Sequence, residues 1–158
     1  MDFTLSPKVD ELRQRVAGFM DQYVYPAEKV AEEQIHAGGD PHREAPIVAE
    51  IRKRAKAEGL WNMFMPDEKH GKGLKNWEYA PLCEIMGRSP LGPRAFNCMA
   101  PDTGNMEILA EFGTPDQKKR WLEPCLEGTM RTCFSMTEPD TAGSDPTQLK
   151  SRAVREGD

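Results

Sequence analysis

Residues 133–146 read CFSMTEPDTAGSDP, and the periodicity of the sequence changes within this stretch. Cys133 to Met136 is short and apolar, which is typical of a β-strand. Thr137 to Pro146 is rich in Thr, Pro, Asp, Gly and Ser, which favour turns and end regular structure. The residues before it carry apolar side chains at helical spacing. We therefore expect a helical chain that passes near its C-terminus into the start of a β-structure.

The predicted turn has a chemistry that suits a phosphate or the polar edge of a ring. Gly143 permits a close approach of the backbone. The hydroxyls of Thr137 and Ser144, together with backbone N–H groups, supply directed donors. Turns of this composition are also common where nothing binds. The residues by themselves therefore leave both a binding turn and a purely structural turn open.

Helical patterns fill the chain before this turn. Ser6 is predicted to cap the first helix, with Pro7 at its first position, where a missing N–H costs nothing. Pro26 interrupts the pattern, which resumes as far as Ile35. Apolar side chains recur in the first part at spacings of three and four, which predicts one buried helix face: Val9, Leu12, Val16, Phe19, Met20 and Tyr23.

Further helices are predicted between residues 46 and 128. Asp102 is expected to cap the helix that ends at Phe112, and Thr114 to cap the next one, with Pro115 at its first position. A glycine follows each predicted helix end, as is typical of helix C-termini: Gly59, Gly87, Gly113 and Gly128.

These patterns predict an all-α fold, a bundle of about six helices, in residues 1–130. Residues 131–158 are expected to be the truncated start of a β domain and to contribute its first strand or two. The second strand would begin near Ser151 and enter a turn at Gly157-Asp158. Since an isolated hairpin is only marginally stable in water, we expect the chain to be a fragment of a longer protein.

Composition excludes several classes of protein. The 158 residues carry a net charge of −5, which argues against general nucleic-acid binding. No apolar run approaches the roughly 18 residues of a membrane span, and the N-terminus has no signal-peptide pattern, which predicts a cytoplasmic protein. The four cysteines show neither C-x-x-C pairs nor neighbouring histidines, so we expect no metal site and reduced thiols in the core.

Two spaced motifs resemble those of the acyl-CoA dehydrogenases. Thr137-Glu138-Pro139 followed by 142–145 (AGSD) is similar to the flavin-contacting signature of that family, with one residue more before Gly143 than in its shorter form. Residues 113–128, which begin Gly-Thr-Pro, resemble the family's preceding helix. The resemblance covers nearly the whole chain and implies an N-terminal helical domain followed by the middle β domain.

The resemblance implies an FAD-dependent enzyme that oxidises acyl-CoA to 2,3-enoyl-CoA. Its electron acceptor would be a protein such as an electron-transfer flavoprotein, and the full-length enzyme would form a homo-oligomer. No catalytic residue is expected in this chain, because the family's base is a glutamate from the C-terminal helical domain, and Glu138 is not that base. Ser144 is expected to lie near the substrate as well as the flavin. The residues that the family motif assigns to the flavin are Phe134, Met136, Thr137, Gly143 and Ser144.

A second hypothesis of a different class remains. The chain would be a helical interaction module, derived from a truncated paralogue and without redox chemistry. Under either hypothesis the chain alone is expected to be inactive, since the region that carries the base is absent from the sequence.

Overall fold

The structure is a computed structural model that describes residues 4–40 and 43–157. The last residue of the predicted Gly157-Asp158 turn therefore lies outside the described residues. Helix α1 (Pro7–Phe19) continues as a π-helical stretch (Met20–Val24), and α7 (Pro115–Gln117) continues likewise (Lys118–Leu122). The other helices are α2 (Ala27–Gly38), α3 (Pro46–Ala57), α4 (Asn76–Met86), α5 (Gly92–Ala95), α6 (Asp102–Phe112) and α8 (Glu123–Leu126).

Two apolar clusters form the core. The predicted stripe of the first helix is buried, except that Tyr23 is only partly buried. Helix α1 packs against α4, and α3 packs against α2 and α5. A smaller cluster lies under α6 and α8 and contains Phe64, Met65, Met106, Leu122 and Cys125. The predicted all-α fold is confirmed. No described helix is both long enough and apolar enough to cross a membrane.

The predicted caps at Ser6 and Thr114 are confirmed. Ser6 Oγ accepts a hydrogen bond from the Val9 N–H (3.4 Å) at the start of α1. At α7, the Thr114 hydroxyl accepts from the Gln117 N–H, and the Gln117 side chain accepts from the Thr114 N–H (2.8 Å). This reciprocal pair is a capping box. Gly59, beyond α3, has the positive φ of 66° that follows many helix ends.

The prediction that Asp102 is a cap is wrong. Pro101 occupies the cap position, and Asp102 is the first residue of α6. Its buried carboxylate accepts hydrogen bonds from residues 131 and 132 instead of from the helix's own N–H groups. Donors from Arg131 and Thr132, far along the chain, therefore replace the helix N–H groups that a cap would bind.

The end of α8 is held by side chains from distant parts of the chain. Helix termini leave carbonyl groups without helical partners, and here three consecutive carbonyl oxygens each receive a side-chain donor. Cys125 O accepts from Asn97 Nδ2 (3.0 Å). Leu126 O accepts from Trp61 Nε1 (2.7 Å) and Asn62 Nδ2 (3.0 Å), and Glu127 O accepts from Lys56 Nζ (2.6 Å).

Asn62 and Asn97 form the centre of this arrangement. Both are buried, and Asn97 Nδ2 also donates to Asn62 Oδ1 (2.7 Å). Both have positive φ, 53° for Asn62 and 57° for Asn97, a region that Asn tolerates better than most residues. Each of these two positions therefore needs a residue that tolerates positive φ and also carries an amide side chain, and few residue types combine the two properties.

Residues 131–157 contain no strand ladder among the described residues. The segments predicted as strands run without regular pairing, with one isolated bridge between Glu138 and Thr141 and a single 3-10 turn, Pro146–Gln148. A strand acquires its ladder only from a partner at hydrogen-bonding distance, and no described segment provides one to residues 133–136. Residues 133–136 therefore have the composition of a strand but do not form a sheet.

Asn97 has two roles: its side chain donates two hydrogen bonds, and its backbone adopts a positive φ. We predict that two substitutions separate these roles. Asn97→Gly keeps the positive φ but removes both donated hydrogen bonds, and should lower the free energy of unfolding by about 1–3 kcal/mol. Asn97→Ala should cost about 1–2 kcal/mol more, because alanine is strained in the left-handed region. Urea unfolding followed by far-UV circular dichroism measures both. Asn76→Ala, at the exposed start of α4, is the control. Equal stability of the Ala and Gly variants would contradict the backbone role.

Candidate functional site

The chain leaves the helical body through a short segment anchored on α6. Thr132 donates to Asp102 Oδ1 through both its N–H and its hydroxyl, each at 2.6 Å, and Arg131 Nε donates to Asp102 Oδ2. Asn105 Nδ2, one turn along α6, donates to the Thr132 hydroxyl (2.8 Å). The backbone of residue 132 is thereby fixed two residues before Phe134.

Beyond this anchor the chain folds into a turn over residues 136–145. Gly143 lies directly against the backbone of Met136, and a Cβ at position 143 would clash with the Met136 carbonyl oxygen. Any residue other than glycine would open the turn. The Asp145 N–H donates to the Ala142 carbonyl (3.2 Å), which closes its far side.

Glu138 ties the turn to the chain that follows it. Its carboxylate accepts hydrogen bonds from the backbone N–H groups of Lys150 (2.9 Å) and Ser151 (2.8 Å). Hydrogen bonds from the Ser151 side chain and from these two N–H groups lower the pKa of Glu138 to about 2. The carboxylate is therefore ionised at neutral pH and links the two ends of a loop of twelve intervening residues.

The structure brings four of the five predicted flavin-contacting residues to one place. Met136 and Thr137 lie against Gly143, and Ser144 follows directly. Phe134 is two residues upstream, with its ring exposed. The Thr137 and Ser144 side chains are exposed, and neither hydroxyl has a hydrogen-bond partner within residues 4–40 and 43–157.

This donor set suits a flavin. The polar edge of an isoalloxazine ring needs hydrogen-bond donors, and two unpaired hydroxyls lie on either side of the Gly143 contact. The body of the ring needs apolar contact, and Phe134 and Met136 expose apolar side chains beside them. The residues that are present therefore fit the group that the sequence motif implies.

Sequence patterns missed the two carboxylates that position this turn. Asp102 and Glu138 each bind backbone N–H groups far along the chain, 30 residues away for Thr132 and 12 for Lys150. The Thr-Glu-Pro motif draws attention to Glu138 without indicating its partner. No local signal identifies the partners of Asp102.

Two of the four thiols lie at the surface. Cys125 is buried and Cys98 half-buried, but Cys83 and Cys133 are exposed, so the prediction of core thiols is wrong for these two. Burial raises the pKa of Cys98 to about 11, which keeps this thiol protonated at neutral pH. Burial also raises the pKa of the adjacent Tyr79. Within the described ranges, no group of three or more His, Cys, Asp or Glu side chains could hold a metal ion.

Comparison with known proteins agrees with the motif. The family model for the N-terminal domain of acyl-CoA dehydrogenases matches residues 6–129. Mouse (Mus musculus) "Acyl-CoA dehydrogenase family member 10" is 48% identical over 98% of this chain, which covers 15% of the relative. "Probable acyl-CoA dehydrogenase FadE2" of Mycobacterium tuberculosis is 45% identical over 99% of this chain, which covers 38% of the relative.

A solved structure from Mycobacterium abscessus, described as that of an acyl-CoA dehydrogenase, has a TM-score of 0.88 and 45% sequence identity. The similarity covers 98% of this chain and 40% of that chain. The chain thus spans well under half the length of these relatives. Because the family model matches 124 of its 158 residues (6–129), the chain belongs to the acyl-CoA dehydrogenase family through its N-terminal domain.

Proposed function

We propose that this chain is the N-terminal part of an FAD-dependent acyl-CoA dehydrogenase that oxidises acyl-CoA to 2,3-enoyl-CoA. Residues 1–130 would form its helical domain and 131–158 the start of its middle β domain. The observation that carries the proposal is the turn that brings Met136 and Thr137 against Gly143 and leaves the hydroxyls of Thr137 and Ser144 unpaired. Membership of the family supports the reaction class.

Each residue of the turn has a defined task in this proposal. The Thr137 and Ser144 hydroxyls donate to the polar edge of the flavin, and Ser144 also lies near the acyl-CoA thioester. Phe134 and Met136 cover part of the ring and exclude water from it. Gly143 lets the backbone on the two sides of the turn approach closely enough to place both hydroxyls. When bound, FAD supplies the acceptor for the hydride from the substrate's β-carbon.

The remaining components would come from outside this chain. We assign the base that removes the α-proton to a carboxylate of the C-terminal helical region, and we assign no catalytic residue to this chain. The proposed partners are the acyl-CoA substrate, an electron acceptor such as an electron-transfer flavoprotein, and further copies of the full-length subunit. A cytoplasmic location stays a prediction from the composition.

One feature favours the second candidate function, a non-catalytic helical interaction module. Ile108 and Phe112 lie one turn apart on α6, and both are largely exposed, at 58% and 74%. Exposed apolar residues at this spacing form a surface suited to packing against another protein element. The same surface would pack against the rest of the subunit if the chain is part of an enzyme.

We expect the 158-residue chain by itself to bind FAD weakly and to be catalytically silent. Its turn offers contacts to a small part of the ring, while binding must offset roughly 4–15 kcal/mol of lost translational and rotational freedom. Without a positioned base, removal of the α-proton is slower by about 10²–10⁴-fold. The purified chain is titrated with FAD and acyl-CoAs of several lengths, and flavin bleaching is followed anaerobically. This expectation would be overturned if the chain bound one FAD per molecule and acyl-CoA reduced that FAD.

In an enzyme that contains this chain and the rest of the subunit, Thr137→Val and Ser144→Ala should each weaken FAD binding or slow flavin reduction. A hydrogen bond lost from a buried polar group costs about 1–3 kcal/mol, or up to about a hundredfold in affinity. Equilibrium dialysis measures FAD affinity, and stopped-flow absorbance measures reduction. Thr103→Val, on α6 outside the turn, is the matched control. If both variants retain and reduce FAD like the unmodified enzyme, these hydroxyls do not contact the ring.

The Glu138 link should respond to pH in a defined direction. Because the pKa of Glu138 is lowered in the folded chain, its link stabilises the loop fully above about pH 4.5 and is lost as the pH falls towards about 2. NMR shifts of the Lys150 and Ser151 amide protons report the link. They should be constant from pH 7 to pH 5 and change at lower pH.

Two variants define this test. Glu138→Gln should remove the pH-dependent change in both amide shifts, since the amide side chain does not titrate. Asp140→Asn, in the same loop, should leave the change in place. A midpoint near pH 4.5 in the unmodified chain would show that the carboxylate is free in solution.

A further inference from the structure

Asp102 has a contact pattern that helix α6 does not require. Its side chain is almost fully buried, and a buried carboxylate is costly unless hydrogen bonds satisfy it. All three hydrogen bonds described for it come from residues 131 and 132, after the last helix of the body. The carboxylate therefore serves the departing chain and not its own helix.

The anchor continues across the body through alternating charges. Arg131 Nη1 lies 3.8 Å from Glu44 Oε1. Glu44 in turn accepts two hydrogen bonds from the Arg52 guanidinium, at 2.6 and 2.8 Å. Two-pronged Arg–carboxylate pairs of this kind fix geometry as well as charge. Arg52 Nε also donates to the Arg94 carbonyl (3.0 Å), which ties the series to α5.

The four charged groups balance, with two cations and two anions, and they lie in four places in the fold, with Glu44 in the segment that precedes α3. Arg52 belongs to α3, Asp102 to α6, and Arg131 to the departing chain. Arg52 is mostly buried, so solvent screens its pair with Glu44 less than it would screen a surface pair. The series thereby connects α3 and α6 to residue 131.

The segment beyond the anchor has little else to hold it. Within the described residues, no hydrogen bond or ion pair involves residues 133–137 before the loop closes at Glu138. An extended chain rises at most about 3.3–3.6 Å per residue, so Phe134 lies within about 7 Å of the Thr132 anchor. The position of Thr132 thus limits where Phe134 to Thr137 can lie.

We propose that Asp102 is the positioning residue for the flavin-contacting segment 134–137. It fixes the backbone of Thr132 and the guanidinium of Arg131, and the Arg131–Glu44–Arg52 series couples this anchor to α3. The assignment of flavin to the segment rests on the proposed function, whereas the anchoring itself is a property of this chain. Asp102 does not touch the ring and acts through Thr132.

The first test needs no cofactor. Backbone ¹⁵N order parameters are measured for the chain and for Asp102→Asn, which removes the charge and replaces the acceptor of Arg131 Nε with an N–H₂ donor. We expect the values for residues 132–137 to fall, that of residue 132 from the rigid range, about 0.85, to below about 0.6, with the helices unchanged. Asp10→Asn is the matched control, because Asp10 also pairs with an arginine, Arg13, but on the exposed face of α1. Unchanged order in residues 132–137 would overturn the proposal.

A second variant guards against loss of folding. Thr132→Val keeps the Asp102 charge and the backbone N–H bond but removes the hydroxyl that bridges Asp102 and Asn105. It should lower the order parameters of residues 132–137 less than Asp102→Asn does. If Asp102→Asn loses its helical circular dichroism, Thr132→Val decides: no change in these residues would overturn the proposal.

The flavin test uses the longer enzyme that contains this chain. Asp102→Asn should raise the Kd for FAD by about tenfold or more and shift the visible absorption of bound flavin, with an unchanged midpoint for unfolding of the helical domain. A loosened segment with unaltered flavin affinity and absorption would overturn the positioning role. A loosened segment in an enzyme whose unmodified form binds no flavin would support the anchoring and overturn the proposed function.

Discussion

Hydrogen bonding of the α8 carbonyl groups is the constraint on which the rest of the structure depends. The four donors come from α3, from the loop after it and from the segment after α5, so the end of the last helix fastens these parts to one another. Immediately beyond, Gly128 turns the chain at φ 71°, and a Cβ there would press on the Trp61 ring. The direction in which the chain leaves the body follows from this junction.

Two carboxylates then divide the departing chain into anchored and free parts. Asp102 holds residues 131 and 132, and Glu138 holds residues 150 and 151. Between the anchors lie the unpaired hydroxyl of Thr137 and the exposed side chains of Phe134 and Met136. A segment that binds a ligand needs polar and apolar side chains that are free of contacts within the protein, and backbone that is fixed on both sides of them. This segment has both features, because the backbone N–H groups at its two anchors are hydrogen-bonded to the carboxylates of Asp102 and Glu138.

The sequence predicts what short-range interactions determine. Ser6 and Thr114 are predictable as caps because a cap bonds a group three residues away. The apolar stripe of α1 is predictable because helical spacing alone places it on one face. The same reasoning fails for Asp102. Aspartate at the start of a helix is typical of a cap, but this carboxylate accepts hydrogen bonds from donors 29 and 30 residues away instead of from the helix N–H groups. Cys133 to Met136 has a strand's composition, yet pairing depends on a partner that no local pattern supplies. The assignment of the turn to a flavin came from resemblance and stays a prediction.

The asparagine pair would be broken by a single chemical change, the deamidation of Asn97 to aspartate. Spontaneous deamidation converts an asparagine side chain to a carboxylate of nearly the same shape. At Asn97 this would replace a donor with a negative charge facing two oxygen acceptors, the Asn62 side chain and the Cys125 carbonyl. Aspartate tolerates the backbone conformation but has no N–H to give. A change of a single functional group, with almost no change in volume, would therefore remove one of the four side-chain donors at the end of α8, at the point from which residues 131–137 leave the body.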